Sequence, residues 1–488
     1  MNASTLIDFY KADHRRQYPD DTTLVFSNFT PRSSRLPHID SVVLWGLQYY
    51  VTHYLDNLWQ TSFFQRPKQE VLDHYKKLME HAGFFFDLDH MAALHDYGRL
   101  PINVLALPEG SRCPLKVPML VMWNSQADFG WLTNYLESNI SNVLWKPCTA
   151  ATIADSYRVM LDHYMQWTGG PAEFVDFQAH DFSYRGLSGT EDSYLVGSGH
   201  LLSFTGTDSV PALEFVGEYY NAFEDGSLVG GSVPATEHSV MCMGTKVTEI
   251  ETFERLITEV YPEGVVSIVS DTWDYWKVLT EYLPKLKDKI MARNGKVVIR
   301  PDSGDPVKVI CGDPDATPGT PQHKGTFRVL WELFGGTSVG AGYSVLDDHI
   351  GVIYGDSITY ERANEICHRL TKAFFVPTVV FGVGSYTYQY VTRDTFGFAM
   401  KATYGVVGGE EREIFKDPVT DDGTKRSARG LLAVHEAPEL GRFVLEEQAT
   451  WDRVMNCAFE ARMIDGRVYR PNIVDLATVR ERLKRTRA

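Results

Sequence analysis

Hydrophobic residues recur between about residues 174 and 384 as short continuous runs, and each run stops at small, hydroxylated or charged residues. The runs are FQAHDFSYRG, LLSFTGTDS, VVSIVSDTWD, KVVIRPDSGD, HIGVIYGDS and TVVFGVGS. Continuous apolar runs of this length are typical of strands that are buried on both faces. Amphipathic segments separate several of them; one starts at Thr248, where a T-x-x-E capping signature precedes apolar residues at helical spacing. The alternation predicts a parallel α/β sheet covered by helices, which could close into a barrel.

Both ends of the chain carry a different pattern. LVFSNFTPR and INVLALPEG are strand-like near the N-terminus, whereas LLAVHE and RFVLEEQ flank a turn near the C-terminus. Asp465-Gly466 adds a hairpin signal. We therefore expect an α/β domain over residues 151–390. The segments 1–150 and 391–488 should together form a second, mostly antiparallel β domain.

Composition narrows the class of protein. The 488 residues exceed the usual size of one core, and 44% of them are apolar, so two domains are expected. The formal net charge of -16 argues against a general nucleic-acid or anionic membrane surface. No apolar run is long enough to span a bilayer, so we expect no membrane segment. The six cysteines are scattered, which favours a reduced, cytoplasmic setting.

Four aspartates follow predicted strands: Asp208, Asp271, Asp302 and Asp356. Parallel strands bring their carboxyl ends to one rim, so these carboxylates should converge there. Sugar hydroxyls, Mg²⁺ or a cationic transition state could balance their charge. The alternative is that each aspartate caps the helix that follows its strand.

Cationic residues near the same motifs could hold phosphates. Arg185, Arg300, Arg393 and Lys401 are the candidates, because guanidinium groups match phosphate oxygens bidentately. Surface ion pairs are the alternative for each. The Gly382 to Ser385 loop follows a strand and could offer backbone N–H groups, although a tight turn explains it as well.

Three further residues are candidates for chemistry or stacking. His238 lies in the small-residue segment GGSVPATEHSVMCMG, where neighbouring carboxylates could raise its nucleophilicity. Phe182 and Tyr10 could stack on a flat ring. A structural role is the alternative for His238, and a place in the core is the alternative for Phe182.

Taken together, these residues resemble those of the nicotinamide phosphoribosyltransferases. The resemblance covers nearly the whole chain through an ordered series of segments: DFYKADHRRQYP, GLQYY, PEG, WLTNYLES, HDFSYRG, GTDS, SVPATEHS, VSDTWD, IRPDSGDP, GDS, TRD and FKDPVTDDGTKRS. The resemblance implies a type II phosphoribosyltransferase fold, which is an irregular α/β barrel with a mostly antiparallel companion domain. It also implies a head-to-tail homodimer with active sites at the interface. The implied reaction, part of NAD salvage, converts nicotinamide and phosphoribosyl pyrophosphate to nicotinamide mononucleotide and pyrophosphate with Mg²⁺.

The resemblance also implies roles for individual residues at the base. Phe182 and the partner subunit's Tyr10 would stack on the pyridine ring, and Asp208 would accept from its carboxamide. Arg185 and Asp302 would position the base and the ribose. The remaining implied contacts are to the sugar and phosphates: Arg300, Gly355, Asp356, Gly384, Ser385, Arg393, Arg32, Lys401, Lys416 and Lys425.

ATP coupling is a further implication. His238 matches the histidine that the family phosphorylates with ATP in an optional step, and Asp271 is a plausible orienter of its imidazole. Catalytic roles would thus fall on His238, Asp271, Asp302 and Arg300. The sequence leaves open which carboxylates bind Mg²⁺.

Two features point to different bases. Asp208 would repel the carboxylate of nicotinate, and a site that is built to hydrogen-bond one group can reject an analogue by roughly 10⁴-fold. Family members that use nicotinamide resemble GSGGG at the phosphate loop, whereas this chain has GVGSY, closer to the nicotinate branch. We favour nicotinamide because Asp208 touches the discriminating group, and nicotinate phosphoribosyltransferase is the alternative. A metal-dependent lyase or aldolase would also fit the acidic rim, and a binding protein could retain the same fold without catalysis.

Overall fold

The computed structural model describes residues 2–224, 226–416 and 428–487. The chain divides into two compact units. Unit 1 comprises Met1–Thr152, Val216–Ala222 and Val391–Ala488, and unit 2 comprises Ile153–Phe215 and Phe223–Tyr390. This division differs from the sequence-based one mainly in the short segment Val216–Ala222, which groups with unit 1.

Unit 2 is built on a curled sheet of six strands, in which all neighbouring strands are parallel. In spatial order the strands are Gly206–Thr207, Ala179–Asp181, Val379–Val383, Ile350–Tyr354, Val297–Arg300 and Val266–Val269. Each strand falls within one of the six apolar runs, so the predicted parallel α/β sheet is confirmed. The LLSF part of the second run is not a strand, because it continues the turn after the helix Thr190–His200 and only Gly206–Thr207 pairs with the sheet.

An irregular segment spans the open side of this curled sheet. Gly231 forms an isolated parallel bridge with Gly206 on one edge strand, and Ala235 forms one with Ser267 on the other. The backbone bonds from Thr207 N to Gly231 O (2.9 Å) and from Ser267 N to the oxygen of residue 234 (2.8 Å) fix it on both sides. Residues 231–235 therefore complete an irregular barrel and lead directly to residues 236–238 at its rim.

Helices follow the strands and pack their apolar faces on the sheet. In Tyr360–Lys372 the buried residues include Ala363, Ile366 and Leu370, which recur at helical spacing. The helix predicted after Thr248 is present as Glu249–Arg255, but Thr248 makes no side-chain cap, because its φ of −107° and ψ of 22° differ from the extended conformation of an N-cap residue. The other helices of this region are Val175–Gln178, Val210–Tyr220, His238–Met243, Tyr275–Lys277, Leu283–Met291, Pro306–Cys311, Pro321–Lys324, Thr326–Phe334 and Ser385–Tyr388.

Unit 1 contains a seven-stranded antiparallel sheet that draws strands from both chain ends. In spatial order the strands are Glu410–Glu413, Ala399–Val407, Thr22–Thr30, Leu120–Asn124, Ile102–Ala106, Glu460–Ile464 and Arg467–Val468. The predicted hairpin at Asp465-Gly466 is confirmed, since both residues have positive φ, 46° and 71°. The strands Leu431–Ala437 and Arg442–Ala449 form a separate ribbon.

The helices of unit 1 and of its connection to unit 2 are mostly short. The exception is Glu137–Thr168, of 32 residues, which carries Pro147 in its interior. The others include His14–Gln17, Leu47–Tyr49, Lys68–His81, Asp89–Tyr97, Leu132–Tyr135, Trp451–Met455 and Leu476–Arg485. Across the described ranges, none of the helices combines the length and the apolar character that crossing a bilayer requires.

Candidate active site

A cavity of about 670 Å³ opens at the carboxyl ends of the parallel strands of unit 2. This volume is typical of sites for small molecules. The residues that line it include most of the predicted base and sugar contacts within unit 2: Phe182, Arg185, Asp208, Arg300, Asp302, Gly355, Asp356, Gly384 and Ser385. The structure therefore brings together residues that are far apart in the sequence.

Three of the four aspartates at this rim, Asp271, Asp302 and Asp356, are not the helix caps that the alternative interpretation required. The caps are Asp274 and Asp305, which lie three positions after Asp271 and Asp302 and accept from the first turns of their helices. Thr359 caps the helix that follows Asp356. Those three carboxylates are left for other partners.

Phe182 forms one wall of a flat slot. A Cβ atom at Gly382 would lie 2.4 Å from the Phe182 ring, so only glycine at that position lets the ring lie against the neighbouring strand. The Arg300 guanidinium carbon is 5.6 Å from the ring centroid, and the His180 ring centroid is 4.9 Å away. The slot thus combines an aromatic face with a nearby cation.

Asp208 follows the edge strand Gly206–Thr207 and lines the same cavity. His180 Nε2 lies 3.0 Å from Asp208 Oδ1. Burial raises the pKa of Asp208, but hydrogen bonds from His180 and Ser232 and the charge of Arg300 outweigh it, so the pKa falls below its usual value. Asp208 is consequently an ionised carboxylate that can only accept hydrogen bonds.

Arg300 and Asp302 form a second wall. Arg300 Nη2 donates to Asp302 Oδ2 at 3.0 Å, and its Nε lies 3.3 Å from Asp302 Oδ1. A Cβ atom at Gly355 would lie 2.2 Å from Asp302 Oδ1, so the backbone of the next strand approaches this pair closely. The paired fork and carboxylate can present both charges to a polar ligand.

His238 begins a short helix at the rim and faces two carboxylates. Its Nδ1 lies 3.3 Å from Thr272 Oγ1, while its Nε2 lies 4.0 Å from both Asp271 Oδ1 and Asp302 Oδ2. The imidazole is half exposed. The predicted pairing of His238 with Asp271 is therefore a close approach and not a hydrogen bond in this structure.

Comparisons with known proteins agree with this geometry. The family model described as "Nicotinate phosphoribosyltransferase (NAPRTase) family" matches residues 177–456, and "Nicotinamide phosphoribosyltransferase, N-terminal domain" matches residues 2–104. A curated "Nicotinamide phosphoribosyltransferase" of Acinetobacter baylyi is 53% identical over 453 residues, which cover 90% of this chain and 89% of that protein. This chain belongs to the nicotinamide phosphoribosyltransferase family. The resemblance noted in the sequence is thereby confirmed.

Other relatives support the family and the fold. A "Nicotinamide phosphoribosyltransferase" of Mycoplasma pneumoniae is 32% identical over 87% of this chain and 93% of that protein. The crystal structure of nicotinate-nucleotide pyrophosphorylase from Pyrococcus furiosus aligns with a TM-score of 0.59 at 16% identity, covering 99% of this chain and 94% of that one. Human nicotinic acid phosphoribosyltransferase aligns with a TM-score of 0.52 at 13% identity, covering 98% and 93%. These two structures show the fold alone, and they confirm the predicted fold class.

Negative charge is concentrated beneath the rim of this family member's cavity. Burial raises the pKa of Tyr354, and the charges of Asp356, Asp271 and Asp302 raise it further. Asp271 Oδ1 is buried and has no hydrogen-bond partner among the described residues. No group of three or more metal-ligating side chains occurs within the ranges that the structure describes. The carboxylates nevertheless fit Mg²⁺, which is commonly held by one or two carboxylates together with water and substrate phosphates.

The predicted phosphate loop lies beside the cavity. Gly384 and Ser385 line it, and Ser385 opens the short helix Ser385–Tyr388. The first N–H groups of a helix lack intrahelical acceptors and can bind an anion. A Cβ atom at Gly186 would lie 2.7 Å from Ser385 Cβ, so the turn that carries Arg185 packs directly on this loop.

Other predicted phosphate contacts lie in unit 1. Lys401 is 3.9 Å from Glu137, which also pairs with Lys11. Burial is the largest cause that lowers the pKa of Lys401, and Glu137 opposes it. Neighbouring cations lower it further: Arg32, Lys11 and Lys416. The predicted residues Arg32, Lys401 and Lys416 therefore form one basic cluster.

Three further predicted residues remain to be considered. Arg393 lies in unit 1, 3.6 Å from Asp394. Tyr10 also lies in unit 1, where its ring is 56% exposed. Lys425 falls outside the described residues. Their roles stay predictions.

His180 and Tyr386 are among the residues at the site that were not predicted from the sequence. His180 lies on the strand Ala179–Asp181, two positions before Phe182, and residues two apart on a strand share a face. That spacing was the available signal. Tyr386 lines the cavity and stacks on Tyr390 at 5.1 Å, but nothing in the local pattern distinguished it.

Proposed function

We propose that this chain transfers the phosphoribosyl group of phosphoribosyl pyrophosphate to nicotinamide, giving nicotinamide mononucleotide and pyrophosphate in NAD salvage. One observation carries the choice of base: Asp208 is an ionised carboxylate beside the aromatic face of Phe182. It accepts from the amide N–H₂ of nicotinamide and repels the carboxylate of nicotinate. The curated relatives of this chain are themselves named nicotinamide phosphoribosyltransferases.

The remaining cavity residues perform the transfer. Phe182 holds the pyridine ring so that its nitrogen meets the anomeric carbon, and this positioning supplies much of the rate. The departing pyrophosphate leaves oxocarbenium character on the ribose, which Asp302 stabilises. Arg300 orients that carboxylate and neutralises charge on the sugar-phosphate, while Arg185 positions the base.

Mg²⁺ belongs to the same proposal. The carboxylates that would hold it are Asp302, Asp356 and Asp271, whose Oδ1 has no hydrogen-bond partner among the described residues, together with oxygens of the substrate pyrophosphate. When bound, the ion supplies charge neutralisation for the leaving group.

We further propose optional ATP coupling through His238. The half-exposed imidazole can be reached from solvent, and Thr272 at Nδ1 leaves Nε2 directed towards two carboxylates. Substitution by alanine should abolish ATP stimulation and leave basal transfer measurable, which steady-state assays with and without ATP will decide. Stimulation that survives in His238→Ala would remove this step from the proposal.

Assembly and location complete the proposal. A homodimer with active sites at the interface would allow the exposed Tyr10 ring to cover the second face of the base. A cytoplasmic setting is supported by the six cysteines, which are all free thiols.

The test compares both bases in the parent chain and in Asp208→Asn. The parent should form mononucleotide from nicotinamide only when phosphoribosyl pyrophosphate is present, and should use nicotinate poorly. Asp208→Asn, which removes the repulsion, should admit nicotinate. A parent that prefers nicotinate would establish the nicotinate phosphoribosyltransferase activity that the GVGSY phosphate loop favours. Turnover of another substrate without phosphoribosyl pyrophosphate would instead support a lyase or aldolase.

A further inference from the structure

His180 occupies a defined position behind the base slot. It lies in the middle of the strand Ala179–Asp181, and its side chain is 11% exposed. A Cβ atom at Gly206 on the neighbouring strand would lie 2.8 Å from His180 Nδ1, so the ring fits only because that residue is glycine. With Phe182 on its other side, the imidazole has little freedom to turn away from Asp208.

The direction of the hydrogen bond follows from the charge of its acceptor. Asp208 Oδ1 lies 3.0 Å from His180 Nε2, and an ionised carboxylate carries no proton to donate. His180 Nε2 must therefore carry the hydrogen and donate it. One oxygen of the discriminating carboxylate is thus held in place from behind.

We propose that His180 is a positioning residue that enforces the preference for nicotinamide over nicotinate by donating Nε2–H to Asp208. The inference rests on the proposed function and deepens it. His180 does not touch the reacting atoms; it acts on the base through the carboxylate.

The physical reason lies in what happens when the base enters. A bound ring displaces water from the slot and makes the charged form of Asp208 more costly. A carboxylate that takes up a proton becomes a donor, and its O–H can donate to the carboxylate of nicotinate. The hydrogen bond from His180 offsets this cost, so Asp208 remains an acceptor that is selective for an amide. Its lowered pKa in the unliganded chain is consistent with this role.

The experiment separates the donor from the shape of the side chain. His180→Gln keeps an N–H donor at similar reach, whereas His180→Leu removes it. A matched control is His349→Leu at the amino-terminal ends of the strands of the same sheet, away from the cavity, where His349 Nδ1 lies 2.7 Å from Asp347 Oδ1. For each purified chain, kcat and KM are measured with both bases and with phosphoribosyl pyrophosphate.

We expect the ratio of kcat/KM for nicotinamide to that for nicotinate to fall about tenfold or more in His180→Leu. The change should appear in the KM values of the two bases, with the KM for phosphoribosyl pyrophosphate within about threefold of the parent. His180→Gln should recover the parental ratio to within about threefold, and His349→Leu should leave it unchanged.

Two results would overturn the inference: a parental ratio in active His180→Leu, or a loss in His180→Gln as large as in His180→Leu. If thermal unfolding shows that the leucine variant does not fold, His180→Phe gives the same comparison with the ring shape retained. Failure of the proposed function is distinguishable, because it appears in the parent chain as preference for nicotinate or absence of mononucleotide.

Discussion

The amino-terminal and carboxyl-terminal ends of the strands in the six-stranded sheet of unit 2 carry contrasting chemistry. At the amino-terminal ends, Asp347 accepts from His349 through both the backbone N–H (2.9 Å) and Nδ1 (2.7 Å), so its carboxylate is paired locally. At the carboxyl-terminal ends, Asp271 Oδ1 is buried without a hydrogen-bond partner among the described residues, and Asp208 and Asp302 face an open cavity. The pair at the amino-terminal ends is complete within the chain, whereas the carboxyl-terminal ends keep an unpaired buried oxygen, although Asp208 and Asp302 accept from His180 and Arg300.

This difference separates stability from function along the same strands. Polar groups that are paired within the chain contribute to folding, whereas a buried carboxylate oxygen without a partner, such as Asp271 Oδ1, costs folding free energy until a ligand balances it. Substitutions at the amino-terminal ends of the strands should therefore change mainly stability, and substitutions at the carboxyl-terminal ends should change mainly activity. Three substitutions test that separation, beginning with the one of largest effect.

Asp302→Ala should lower kcat/KM for nicotinamide by about a thousandfold, because it removes the carboxylate that is proposed to stabilise the cationic ribose. The melting temperature should fall only slightly, because relief of repulsion in the acidic rim offsets part of the loss of the Arg300 ion pair. Steady-state kinetics and thermal unfolding of the same preparation measure both. A decrease in kcat/KM of less than about tenfold would show that the acidic rim does not act on the transition state.

Gly382→Ala should raise the KM for nicotinamide about tenfold or more, because the new methyl group would lie 2.4 Å from the Phe182 ring and must displace it. Gly351→Ala on the adjacent strand is the control. Its methyl group would lie 3.2 Å from the flexible end of Lys296, which can move aside. Equal KM values in the two variants would argue against Phe182 as the wall of the base slot.

Asp347→Asn should leave kcat/KM within about threefold of the parent and lower stability by about 1 kcal/mol at neutral pH. Burial raises the pKa of Asp347, but its bonds to His349 lower it below the usual value. A depressed pKa in the folded state means that the unfolded chain binds more protons near pH 4. The stabilisation is therefore present above the ordinary pKa and lost as pH falls through the folded value. Denaturant unfolding at pH 7 and pH 3 should show a smaller difference between the two chains at pH 3 than at pH 7.

The strand ends could be predicted from the sequence because an apolar run that stops at a polar residue marks both a buried strand and its exposed tip. Asp302 and Asp356 are examples, and the structure places both at the cavity. The short edge strand was harder. LLSF is as apolar as the true strands, yet it belongs to the turn after Thr190–His200, since tertiary packing decided between two structures that the local pattern allowed.

Other features of the site depend on contacts between distant segments, which no local pattern contains. The pairing of His180 with Asp208 joins neighbouring strands, and its significance emerges only when both side chains are seen behind the slot. The capping signature at Thr248 produced no side-chain cap, because Thr248 has a φ of −107° and a ψ of 22° instead of the extended conformation of an N-cap residue. The signature specified the start of a helix but not the bond that caps it.

The irregular segment of residues 231–235, which completes the barrel, affects how the position of His238 can vary within the family. Each end of this segment is joined to the sheet by a single isolated β-bridge, in place of a continuous ladder of hydrogen bonds. An insertion or deletion in this segment would change the height of His238 above the rim while the six strands kept their register. His238, the residue proposed to couple ATP, can thus be repositioned between relatives independently of the base slot.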